Sequence, residues 1–80
     1  MVFVVSEIGV NWNGSFELLE EMIQKSRNAG CDAVKLQAFS EKEVAKHPEK
    51  DRLLSCSVNS DNVENINKIA ADCNIEWFCT

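Results

Sequence analysis

Glu7, Lys35 and Gln37 interrupt or end two short apolar runs, Val2-Phe3-Val4-Val5-Ser6-Glu7-Ile8 and Ala33-Val34-Lys35-Leu36-Gln37. A carboxylate, an ammonium and an amide brought together can hold an anion, keep a proton acceptor beside it and hydrogen-bond a polar neighbour. A helical pattern separates the two runs, so they read as successive parallel strands. Such strands are covered on both faces and stay apolar. A charge there is costly without a partner or a ligand. Ligands bind at the carboxyl ends of strands in parallel α/β folds. The three residues therefore mark a candidate site, with a plain structural ion pair as the alternative.

The elements that must position them are legible in outline. The first strand is expected over Val2 to Ile8, followed by the turn-rich loop Gly9-Val10-Asn11-Trp12-Asn13-Gly14. Ser15 is a candidate N-cap for a helix over Phe16 to Ala29, which Gly30 ends. Ala33 to Gln37 forms the second strand. Ser40 and Glu43 form a capping-box pattern for a short helix before Pro48. Ser60 or Asp61 would cap a long helix with Val63, Ile66, Ile69, Ala70 and Cys73 on its apolar stripe, and Asn74 would end it. Ile75 to Thr80 reads as a third strand. The order β-α-β-α-α-β implies an α/β fold with a parallel sheet. Alternation sets Glu7 on one face of its strand, Lys35 with Gln37, and Thr80 with Phe78. Facing inward, the four would gather at one end of the sheet.

Eighty residues with 45% hydrophobic content suit one small unit. A formal net charge of −5 argues against nucleic acid or an anionic membrane as partner. The apolar start is too short for a signal peptide and no stretch is long enough to span a bilayer, so a cytoplasmic protein is expected. Cys31, Cys56, Cys73 and Cys79 have neither zinc-like spacing nor a C-x-x-C pair and read as buried reduced thiols. His47, alone among charged residues, is expected at the surface. Trp12 is equally a lid over the site or a packing residue. Gly9 to Ser15 fits G-x-x-x-x-G-S, but Ser15 stands where a phosphate loop needs Lys, which excludes nucleotide binding by that route.

Two segments carry a resemblance. Ser6-Glu7-Ile8-Gly9-Val10-Asn11-Trp12-Asn13-Gly14-Ser15, and after it Gly30-Cys31-Asp32-Ala33-Val34-Lys35-Leu36-Gln37, resemble the opening of the sialic acid synthase family. That family begins with A/G-E-I-G-x-N-H-N-G-S, followed by G-A-D-A-V-K-F-Q and then F-x-S-T-P-F. Here Ile75-Glu76-Trp77-Phe78-Cys79-Thr80 looks like the start of the third block.

The resemblance implies a (β/α)8 barrel, of which residues 1–80 would be the N-terminal portion, truncated after the third strand; a full barrel takes on the order of 250 residues. It implies condensation of phosphoenolpyruvate with an N-acetylated hexosamine and a divalent metal, manganese or magnesium, whose ligands lie outside this chain. A homo-oligomer is a further possibility. By position Lys35 would contact phosphoenolpyruvate and Thr80 would share its subsite. Glu7 would stand near the reacting carbons with Gln37 beside the lysine, and Asn11 and Asn13 of the loop would bind substrate. Trp12 stands where the family has His, and the stretch from Ala38 to Asn59 is shorter than in the family. The isolated chain is expected to be inactive. The alternative is a non-catalytic anion-binding or structural module.

Overall fold

The computed structural model describes residues 2–80. Its elements run β1 (Val5–Gly9), α1 (Phe16–Asn28), β2 (Ala33–Leu36), α2 (Glu41–Val44), α3 (Lys50–Ser55), α4 (Val63–Asp72) and β3 (Glu76–Cys79). The three strands form one all-parallel sheet in the order β1-β2-β3. The expected α/β fold class is the observed one.

Local chemistry accounts for most boundaries. The Ser15 hydroxyl accepts the Leu18 N–H and starts α1, whose last turn carries Lys25 and Arg27 against the negative end of the helix dipole. Ser40 and Glu43 complete their capping box at α2. Asn74 adopts φ +54 after α4, as a left-handed helix end does. The start of α4 differs from expectation. Neither Ser60 nor Asp61 caps it. Asn59 Oδ1 accepts the N–H groups of Asp61 and Asn62, and Asn62 Oδ1 accepts the Asn59 N–H. β1 also starts later than expected, at Val5. Ahead of it, Val4 exchanges hydrogen bonds with Asp32, its N–H reaching Oδ2 at 2.7 Å and its carbonyl accepting the Asp32 N–H at 2.8 Å.

The helices cover one face of the sheet. On that side Ile8, Val34 and Leu36 pack with Leu19 and Ile23 of α1 and Ile66 of α4, while Trp77 lies partly buried against them. The Ser26 hydroxyl of α1 donates to Ser6 of β1 at 2.9 Å on the same side. On the opposite face Ala33 is buried, but Val5 and Lys35 are half-buried and Glu7, Glu76 and Phe78 are exposed. A sheet covered on both sides was the premise for reading Glu7 as a buried charge. The single helical layer leaves Glu7 in contact with water instead.

Two of the four thiols, Cys56 and Cys73, are buried; Cys31 is half-buried and Cys79 exposed, so burial holds for half of the cysteines. All four are free. His47 is exposed. Among the described residues no helix is long and apolar enough to cross a membrane.

Candidate functional site

The register of the parallel ladder brings the acid and the base together. Glu7 of β1 is the direct partner of Lys35 of β2, and Lys35 is in turn the partner of Phe78 of β3. Residues in register on adjacent strands point to the same side, so both side chains leave the uncovered face. The Lys35 ammonium donates to Glu7 Oε1 at 3.1 Å. Lys35 keeps 28% of its side-chain surface exposed and Glu7 keeps 72%. With that exposure the pair contributes at most about 1 kcal/mol to stability. An ammonium has three donors, so Lys35 retains two after serving Glu7.

Beyond Glu7 the ladder skips a residue: Gly9, not Ile8, pairs with Leu36. This irregularity turns the chain away from the sheet. Gly9 takes φ +56, which suits a residue without Cβ. The loop that follows tightens through Asn11 N–H to Ile8 carbonyl and Asn13 N–H to Val10 carbonyl bonds of 3.0 and 3.2 Å. A cavity of about 270 Å³ results at the carboxyl ends of β1 and β2, lined by Glu7, Gly9, Asn11, Lys35 and Gln37 among others. Its size fits a small charged metabolite.

Four of the six residues named from the sequence therefore line one cavity: Glu7, Lys35, Gln37 and Asn11. Thr80 and Asn13 do not. Thr80 is held by its backbone beside the end of β2, its N–H donating to the Leu36 carbonyl and its own carbonyl accepting the Ala38 N–H. The Asn13 side chain turns the other way and accepts from Arg52 Nε at 3.1 Å. Trp12 is neither lid nor wall. It is 1% exposed, packs its ring against Phe16 with centroids 5.7 Å apart, and belongs to the core. Its Nε1 is buried without a hydrogen-bond partner. Ile8, Gly9 and Val10 also line it and were not among the residues named from the sequence; of these Gly9 had a legible signal. A glycine directly after a strand is the signal for it, since such a position often marks a bulge or close backbone approach.

Among the described residues no three His, Cys, Asp or Glu side chains converge as a metal site would require. The described residues do not by themselves fit a bound divalent metal.

No protein-family model matches the chain. Over 37 residues it is 43% identical to the N,N'-diacetyllegionaminic acid synthase of Legionella pneumophila subsp. pneumophila. That stretch covers 46% of this chain and 10% of the relative. The chain is thus similar, over part of its length, to a small part of that synthase.

Proposed function

We propose that this chain forms the first portion of a (β/α)8 barrel in a sialic-acid-synthase-like enzyme that condenses phosphoenolpyruvate with an N-acetylated hexosamine. The observation that carries the reading is the Lys35–Glu7 pair, 3.1 Å apart beside a cavity at the carboxyl ends of adjacent parallel strands. The partial likeness to a legionaminic acid synthase supports it.

In this reading the two free donors of Lys35 bind the carboxylate or phosphate of phosphoenolpyruvate, a charge-assisted contact stronger than a neutral one. Glu7 fixes the ammonium from the other side and stands near the carbons that join. Gln37 and Asn11 offer amide donors and acceptors to the polar groups of the partner sugar. Positioning of this kind supplies much of the rate in a condensation of two bound substrates. Thr80, outside the cavity, acts only through its backbone, which holds the end of β2 next to Gln37. A divalent metal, manganese or magnesium, would be held by residues beyond those described. The uncovered sheet face, which would become the barrel interior, fits the same proposal.

Calorimetric titration of the chain with phosphoenolpyruvate tests the reading. Binding that Lys35→Met weakens by about 10- to 100-fold is expected; equal binding by the variant would overturn it. Turnover by the chain alone with phosphoenolpyruvate, N-acetylmannosamine and manganese would refute its incompleteness as a catalyst.

A second reading is favoured by one observation. Phe3 and Phe78 stand 61% and 42% exposed. Apolar groups left open to water fit a non-catalytic module that associates through its bare face. A concentration-independent monomer in size-exclusion chromatography would count against that module.

A further inference from the structure

We infer that Arg52, which lies outside the cavity, is a positioning residue: from α3 it braces the loop whose near side forms the pocket wall. The inference rests on the reading of that pocket as the binding site. No residue of α3 is fully buried; Leu53 and Leu54 are half-buried and anchor one side of the helix, while its Arg52 side is held by polar contacts. Two of its side chains, three residues apart and so on one face, meet consecutive residues of the loop. Arg52 Nε donates to Asn13 Oδ1 at 3.1 Å across 39 residues of sequence. Ser55 abuts Gly14 so closely that a Cβ on Gly14 would lie 3.1 Å from the Ser55 carbonyl oxygen. Glu49 holds the guanidinium in turn, Oε2 standing 3.7 Å from Nη1.

The brace acts on the cavity through one short link. Asn13 sits in a left-handed conformation, φ +50, and its N–H is bonded to the Val10 carbonyl. Fixing Asn13 therefore fixes Val10 and Asn11, which line the pocket. Trp12 anchors the same loop from the core side, being buried between these residues in sequence. With Trp12 holding one side and Arg52 the other, Asn11 is kept at the cavity wall it shares with Glu7 and Lys35.

The test compares wild-type chain, Arg52→Ala, Arg52→Lys and Asn13→Asp by amide hydrogen exchange, by the side-chain amide resonances of Asn11, and by phosphoenolpyruvate calorimetry. Asn13→Asp keeps the acceptor oxygen and tolerates the left-handed backbone. Arg52→Ala is expected to speed exchange at Asn11 and Asn13 and to weaken phosphoenolpyruvate binding, each by about threefold to fivefold, the worth of one exposed hydrogen bond. The Asn11 resonances should shift or broaden while the melting temperature falls by only about 3–8 °C. Arg52→Lys should restore part of the effect, and Asn13→Asp, which makes the bond to Arg52 charge-assisted, should hold exchange at or below the wild-type rate. Unchanged exchange and unchanged Asn11 resonances in Arg52→Ala would overturn the brace. Faster exchange with unaltered binding would overturn its service to the pocket. If the wild-type chain binds no phosphoenolpyruvate, the functional reading fails by itself, and the exchange and resonance data still decide on Arg52.

Discussion

Glu7 and Lys35 are partners twice over, once as opposed residues in the β1–β2 ladder and once as an ion pair of 3.1 Å. The backbone register fixes where the two side chains begin, so little side-chain ordering remains for the pair to supply. Its consequence for folding is small, because Glu7 is largely exposed. In the proposed reading its consequence for binding is larger. Lys35→Met should leave stability in urea within about 1 kcal/mol of wild type. The same change should weaken phosphoenolpyruvate binding by about 10- to 100-fold, the loss of a charged hydrogen bond. Glu7→Gln should tighten binding of the anion, since it removes a competing carboxylate. Calorimetry beside urea denaturation separates the two effects.

Gly9 and Gly14 differ in what a methyl group would meet. At Gly9, φ +56, a Cβ would find only the Gln37 side chain at 3.9 Å, so Gly9→Ala should cost the backbone penalty alone, about 1–2 kcal/mol. At Gly14, φ +75, a Cβ would also press on the Ser55 carbonyl at 3.1 Å. Gly14→Ala should therefore be the more destabilising. Urea midpoints in the reverse order would contradict the loop geometry.

Trp12 carries a large apolar surface and one unsatisfied donor. Trp12→Ala should cost about 3–5 kcal/mol through the cavity left behind. Trp12→Phe loses volume but also removes a buried N–H without a partner, so its cost should stay within about 1.5 kcal/mol. Equal losses for both variants would mean that the indole N–H has a partner after all.

The cysteines should react in order of exposure. Burial raises the pKa of Cys73, and the nearby carboxylates of Glu20 and Asp72 raise it further by repelling a thiolate. The fold thus favours the neutral thiol. This contribution to stability is present below the ordinary thiol pKa and is lost as pH rises through the raised value. Alkylation at pH 8 followed by peptide mass mapping should modify Cys79 first and Cys56 and Cys73 last.

Glu43 makes the start of α2 sensitive to acid. Its carboxylate accepts the Ser40 N–H, and this bond and then the one to the Ser40 side chain lower its pKa. The folded chain favours the ionised form, so the contribution is present above the ordinary carboxyl pKa. It is lost as pH falls through the lowered value. Proton exchange of the Glu43 amide should quicken relative to that of α1 over this acid range, and Glu43→Gln should remove the pH dependence.

The sequence carried the parts of the fold that depend on neighbours in the chain. Ser15, the Ser40–Glu43 box and Asn74 act within a few residues of themselves, and each does what its type predicts. Asn59 was hidden because it works as a turn-former two and three residues ahead, a role that resembles a cap only once the turn is built. Helix α3 is six residues long with only the adjacent Leu53 and Leu54 apolar, both half-buried, so periodicity had little signal to offer. For the site, alternation and strand order sufficed to bring Glu7, Lys35 and Gln37 to one cavity. Alternation states which face a residue takes, but not whether that face is covered. The exposure of Glu7 and the inward packing of Trp12 follow from tertiary packing alone.

The one-sided layering of helices has an electrostatic consequence. Water now screens Glu7 and Lys35 across the bare side of the sheet. If further strands or a partner covered that side, the same two atoms at the same separation would interact more strongly as the effective permittivity fell below that of a protein surface. The strength with which Lys35 is held, and so its readiness to turn toward an incoming anion, would then be set by whatever closes over the sheet.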